Sequence, residues 1–296
     1  MFKKLIALML ACCLCAACCC VLADESLTVT DMAGREVTLN GTAKRIVVLQ
    51  PADCEILYAI GAGDLIVGRG TYCDYPETVF AIAEVSSGYD TNIEQILALE
   101  PDVVIMTEMS QTVEQNEALV NAGVNVIVSN AQDIKGIYEA IRLLGAVTGK
   151  NAEAEALITD MQTRLAALAE KTTETEKTVY FEVSPLEWGL WTAGSGTFMD
   201  EIALICGLKN AFSDVDGWAA ISEEQVLSRD PDYIVTISMY YGYGPTPVEE
   251  IAGREGWGGL KAVEDGKILN ADSNEVSRPG PRIVDAAETL YQFIAQ

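Results

Sequence analysis

The chain has 296 residues, half of them apolar and 21% charged, a balance that excludes a disordered polymer and suits one large domain or two ordinary ones. Its formal charge of −25, or −27 once Lys3 and Lys4 leave with an N-terminal leader, disfavours nucleic-acid binding and adhesion to anionic lipid through a basic face. The chain contains no histidine, which removes the Ser-His-Asp triad, the Cys-His pair and every imidazole metal site.

Residues 1–23 read as a signal peptide: Lys3 and Lys4, an uncharged apolar stretch, then small residues before Asp24. Three outcomes stay open: cleavage after Ala23, lipidation of Cys18, or retention as an anchor. Each places the folded part outside the cytoplasm. Six of the nine cysteines lie in this leader. The other three, Cys54, Cys73 and Cys206, show no CxxC spacing and form neither a zinc motif nor a disulfide framework. Cys54 and Cys73 could pair, although buried idle thiols are the plainer expectation.

Beyond the leader, residues 27–39 alternate apolar and polar around a turn and predict a β-hairpin. A first core strand is expected at 45–49, a helix ending at Gly61, a second strand at 65–68, and then a loop carrying Tyr72 and Tyr75. A helix near 113–121, a strand at 124–128 and a helix near 134–147 continue the alternation of a parallel sheet covered on both faces. Residues 152–171 hold no Gly or Pro and many strong helix formers, predicting one rod about 30 Å long. Two lobes tied by such a rod should move less against each other than lobes tied by flexible strands. The expected division is a lobe over 24–150, a linking helix over 151–172 and a second lobe over 173–296.

In the second lobe, a strand is expected at 178–183, a glycine-rich turn at 188–196, a helix at 199–206, a short helix and turn over 248–259, a strand at 267–269 and a terminal helix over 281–295. The evidence for two related lobes is a thirteen-residue phrase that occurs twice, from Glu94 to Met106 and from Glu224 to Thr236. Glu, Gln, Leu, Pro and Asp recur at matching offsets. Asn92 with Gln95 and Ser222 with Gln225 predict capped helix starts, while Pro101 and Pro231 end each helix ahead of a β-branched strand. The fold class is therefore α/β: two similar lobes with mainly parallel sheets, one long rigid helix between them and a ligand cleft where they face.

No catalytic machinery is visible. Gly194-Ser195-Gly196 lacks both the spacing of a nucleophile elbow and a base to activate its serine. Tyr72, Tyr75, Trp188, Trp191, Trp218, Tyr240, Tyr241 and Tyr243 fall in loops near element ends, and several of those loops leave the carboxyl edge of a sheet, where ligands bind. Rings with a few polar tips suit a large, partly apolar, planar ligand. Glu94 and Glu224 occupy matching first turns, where the helix dipole alone favours an acid by about 0.3–1 kcal/mol. Their repetition on both lobes also fits a paired docking role.

The stretches Arg45-Ile46-Val47-Val48-Leu49-Gln50-Pro51, Tyr72-Cys73-Asp74-Tyr75-Pro76, the two copies of the repeated phrase and Arg278-Pro279-Gly280-Pro281-Arg282 resemble the substrate-binding proteins of cobalamin and iron–siderophore ABC importers. The resemblance covers nearly all of the chain after the leader. It implies two α/β lobes bridged by a helix with the ligand between them, and permease docking through Glu94 and Glu224 to arginines of the membrane partner. It further implies ligand contacts at Tyr72, Trp191, Trp218, Arg278 and Tyr241, with Arg69 a further candidate. No resident cofactor or metal site is expected; the bound ligand would be a corrinoid, slightly favoured, or a ferric siderophore or haem. A monomer without nucleic-acid partners is expected. An extracytoplasmic carboxylate-dependent hydrolase is the distant alternative.

Overall fold

The structure is a computed structural model that describes residues 26–88, 90–108 and 111–296. The signal peptide, its cleavage after Ala23 and the lipidation of Cys18 lie outside the described residues. A hairpin of β1 (Leu27–Thr30) and β2 (Glu36–Leu39) comes first. Asp31 in its turn accepts a hydrogen bond from Val128 N at 3.2 Å, which ties the hairpin to the first lobe.

The first lobe holds β3 (Ile46–Val48), β4 (Ile66–Gly70), β5 (Glu84–Val85), β6 (Val103–Met106) and β7 (Asn125–Val128). They form one sheet in the order β5-β4-β3-β6-β7, parallel throughout. Its helices are α1 (Pro51–Ala59), α2 (Ile93–Ala98), α3 (Val113–Asn121) and α4 (Ile134–Thr148). Such a sheet is sandwiched on both faces, and the β6 residues Val103, Val104, Ile105 and Met106 are all buried.

The linking rod is α5 (Asn151–Lys171), 21 residues long. Ala154, Ile158, Met161, Leu165 and Leu168, spaced four and three apart, form its buried stripe. That stripe belongs to a core cluster that also holds Ile141 and Leu144 of α4 and residues of the second lobe such as Met199, Ile202 and Leu290. The helix is therefore packed against both lobes along its length and is not a free strut.

The second lobe contains β8 (Thr178–Ser184), α6 (Phe198–Ile205), α7 (Glu223–Arg229), β12 (Tyr233–Thr236), α8 (Pro247–Ala252), α9 (Lys261–Glu264), β13 (Ile268–Asn270), α10 (Ser273–Val276) and α11 (Ile283–Ile294). Three short strands that the sequence pattern missed, β9 (Trp191–Ala193), β10 (Lys209–Asn210) and β11 (Trp218–Ala220), complete its sheet. Strands β8, β10, β12 and β13 are parallel, whereas β9 is antiparallel to both its neighbours, β8 and β11, so this sheet is mixed. The turn expected over 188–196 thus contains a three-residue strand, Trp191–Ala193. Gly194 just after it is required sterically, since a Cβ there would stand 2.1 Å from Val215 O.

The repeated phrase folds the same way twice. Glu100 and Asp230, the residues before the two prolines, both take positive φ (47° and 45°), an uncommon conformation for a side-chain-bearing residue. Asp102 accepts from Arg45 N at 2.9 Å and Asp232 accepts from Thr178 N at 2.8 Å. Each Pro-Asp carboxylate therefore pins the start of a neighbouring strand, which is a structural reason for its repetition. The helix starts differ: Ser222 and Gln225 make a reciprocal capping box, whereas Gln95 turns away from Asn92 and accepts from Ser86 N.

Candidate ligand-binding site

The carboxyl edge of the second sheet carries the site. After β8 the chain turns through Pro185 to Trp188, and after β12 it makes a loop from Ile237 to Pro245 in which Gly242 and Gly244 take positive φ. Thr246 then opens α8 with a capping box to Glu249 and a proline in the first turn, which fixes the far end of the loop. Together these segments line a cavity of about 580 Å³. Its wall is built from Trp188, Met239, Tyr240, Tyr241 and Tyr243, with the hydroxyls of Ser184, Ser238 and Ser273 and the acids Glu187 and Glu250. The rings are held ready and largely uncovered: Trp188 is 76% and Tyr243 78% exposed, and Tyr241 stacks on Tyr243 at 6.5 Å between centroids. An adjoining depression of about 640 Å³ shares Leu186, Pro245 and Glu250 but has no aromatic ring, so it is the poorer seat for a planar ligand.

Across from it, the first lobe presents an ion-pair cluster. Glu55 of α1, 3% exposed, accepts from Arg282 Nε at 2.9 Å and Nη2 at 2.7 Å, and from Arg278 Nη1 at 3.0 Å. Arg278 Nη1 also donates to Asp74 at 2.6 Å and its Nη2 to Tyr72 O at 3.3 Å. Partial burial disfavours the Asp74 carboxylate, but Arg278 outweighs that and holds its pKa below the usual range. The Arg282 guanidinium lies over the Tyr75 ring at 4.2 Å. Because Arg278 and Arg282 come from the second lobe's C-terminal segment, the cluster clamps the two lobes together. Ser273, in the cavity wall, is followed by Asn274, whose Nδ2 donates to Asp74 at 3.5 Å. The cavity and the Tyr72–Tyr75 loop are therefore neighbours across the cleft.

The expected site residues separate accordingly. Tyr241 lines the cavity, and Trp191, 44% exposed, pairs in register with the cavity residue Ser184. Tyr72 is exposed on the opposite loop. Arg278 is occupied by Glu55 and Asp74, and Arg69 by Glu84 at 2.8 Å, so neither offers an unpaired cation. Trp218 is half-buried against Phe198 at 5.3 Å, and its Nε1 donates to Gln132 of the first lobe at 3.2 Å. With Phe198 N donating to Gln132 O at 2.9 Å, it forms a second contact between lobes.

Glu94 and Glu224 are both exposed in first turns at the cleft side of their sheets. Asn92 N donates to Ser86 O, directly after β5, and Ile221 N donates to Leu190 O beside the end of β8. Beneath the first lobe's edge, Asp53 is 1% exposed with one carboxylate oxygen unpartnered, and burial pushes its pKa up to about 7 against a smaller lowering from Ser129. Cys54 and Cys73 are free, buried thiols, and the contact with Cys73, together with burial, pushes the Cys54 thiol far up.

The fold and this cleft have relatives. Residues 46–275 match the periplasmic binding protein profile. The chain belongs to the periplasmic binding protein family. It is 33% identical over 275 residues to YvrC, an uncharacterised ABC transporter substrate-binding lipoprotein of Bacillus subtilis (strain 168), covering 90% of this chain and 85% of that one. A vitamin B12-binding protein of Salmonella typhimurium is 30% identical over 266 residues, with 86% and 91% covered. Among solved structures, a possible iron-binding periplasmic solute-binding protein of Staphylococcus epidermidis superposes with a TM-score of 0.75 at 29% identity, covering 86% of this chain and all of that one. The cavity lies on the second lobe, at the edge where its strands end, beside the first lobe's Tyr72–Tyr75 loop.

Every ring of the cavity is a loop aromatic in the sequence, but of this edge only Tyr241 and Trp191 are among the residues that the family resemblance implies as ligand contacts. The run from Met239 to Tyr243, dense in tyrosine and punctuated by glycine, was the available signal for the rest. The contacts of Gln132, Glu55 and Asp74 had none, since each depends on a partner from the other lobe.

Proposed function

We propose that this chain is the extracytoplasmic solute-binding component of an ABC importer, capturing a metal chelate and passing it to a membrane permease without chemical change. The single observation that carries the reading is the cavity walled by Trp188, Tyr240, Tyr241 and Tyr243 at the edge of the second sheet, beside the first lobe's Tyr72–Tyr75 loop. Rings of this kind suit a macrocycle or a chelate with flat ligands. A corrinoid is favoured over a ferric siderophore or haem, and the B12-binding relative supports that order. Tyr72, Trp191 and Tyr241 contact the ligand in this reading, while Arg278 and Trp218 act through the lobe contacts they make. Glu94 and Glu224 dock to basic residues of the permease, and the leader exports the chain.

The test is a titration of residues 24–296 with cyanocobalamin, ferric siderophores and haemin, followed by tryptophan fluorescence and calorimetry. Saturation by cyanocobalamin at one equivalent, weakened in Tyr241→Ala, is the expected result. Saturation by a siderophore or haemin instead overturns the corrinoid assignment, and no binding by any of them overturns the reading. Uptake in cells carrying Glu94→Ala with Glu224→Ala should fall while binding in solution is unchanged.

A further inference from the structure

The charges around the cavity are arranged in a way that bears on which chelates it admits. Among the described residues, the cavity wall contains two carboxylates, Glu187 and Glu250, and no lysine or arginine. The arginines nearest the cleft are each consumed by the protein's own acids. Arg69 pairs with Glu84; Arg278 with Glu55 and Asp74; Arg282 with Glu55; and Arg254 with Glu182 at 2.6 Å and with Glu250 at 2.6 Å. On the first lobe's side, the Asp74 carboxylate is 39% exposed while the Arg278 guanidinium it pairs with is only 12% exposed, so the clamp turns its acid and not its cation outward. Both sides of the cleft therefore offer acceptors and negative charge, within a chain of formal charge −25.

Resting on the binding reading above, we infer that the cleft selects neutral or cationic chelates and rejects anionic ones. A ligand carboxylate or catecholate would meet like charge and acceptor oxygens, and freeing an arginine to greet it would strand a buried acid. A ligand bearing amides or an ammonium group instead supplies the donors this cleft lacks, and the field of the whole protein draws a cation toward it. Substrate class is thus set by ion pairs already closed inside the protein, and the open rings set shape alone.

Two pairs of probes that differ in charge, the first also matched in shape, test this. One is cyanocobalamin against its side-chain acid, in which amides are hydrolysed to carboxylates. The other is the cationic ferric hydroxamate ferrioxamine B against an anionic ferric tris-catecholate. In whichever pair binds, the neutral or cationic member should bind at least about tenfold more tightly at low ionic strength, and the gap should narrow as added salt shortens the Debye length from about 30 Å to about 3 Å. Asp74→Asn should shift the ratio of the two affinities about threefold toward the anionic member, because it removes one rim charge and loosens Arg278. Equal or tighter binding of the anionic member overturns the inference while leaving the binding reading intact, as does a gap indifferent to salt. Silence from all four probes overturns both.

Discussion

The two edges of the cleft solve opposite problems. The first lobe's edge is closed: Glu55, Asp74, Arg278 and Arg282 satisfy one another, and even the Tyr75 ring is covered by a guanidinium. The second lobe's edge is open, with Trp188, Tyr241 and Tyr243 mostly in solvent and Tyr241 stacked on Tyr243. Buried ion pairs resist separation because pulling one partner away leaves an uncompensated charge in a poorly solvated place. Exposed rings cost little to hold and gain when something covers them. Rigidity and adhesiveness are thus assigned to different sides, and substitutions on the two edges should have different signatures.

The largest effect is expected from Glu55→Ala, which leaves Arg278 paired with Asp74 and Arg282 with Glu275 at 4.0 Å. A loss of about 3–5 kcal/mol in urea unfolding is expected, and a loss under about 1 kcal/mol would mean that the clamp contributes nothing particular. Next is Asp53→Asn, whose effect depends on pH. The folded protein holds Asp53 protonated up to about pH 7, whereas the unfolded chain releases that proton near 3.8. The unfolded state therefore binds fewer protons between those values, and wild-type stability falls as pH rises through that window. Asparagine removes the penalty: the variant should match wild type near pH 3.5 and exceed it by up to about 4 kcal/mol near pH 8 in thermal or urea melts.

Gln132→Ala should cost less, about 0.5–1 kcal/mol, by depriving the Trp218 indole of its acceptor at the second contact between lobes. A red shift of tryptophan emission would report that loosening, and an unmoved spectrum would count against the contact. The smallest change in stability belongs to the open edge. Trp188→Ala should alter unfolding by no more than about 0.5 kcal/mol because the ring is already in solvent. Its cost should appear only in cyanocobalamin affinity, weakened about tenfold or more. A Trp188→Ala protein that unfolds easily but binds normally would reverse the roles assigned to the two edges.

What the sequence by itself determined is local and periodic. The 3.6-residue stripe of the linking helix, the proline ends and capped starts of the repeated phrase, and the apolar runs of β6 and β12 all follow from neighbours a few residues apart, and each formed where the pattern placed it. The rings were legible too, as aromatics that fit no core period. Where the pattern failed, the cause was distance along the chain. The strands β9 and β11 are three residues each, too short for a period, and exist because each pairs with the other. Arg278 read as a cation available to a ligand until the fold set Glu55 and Asp74, more than 200 residues away in sequence, against it. Trp218 read as a stacking surface until Gln132 and Phe198 claimed it. Charge and shape at the cleft were decided by tertiary structure alone, because an ion pair between lobes is a property of two surfaces brought together and leaves no trace in either segment.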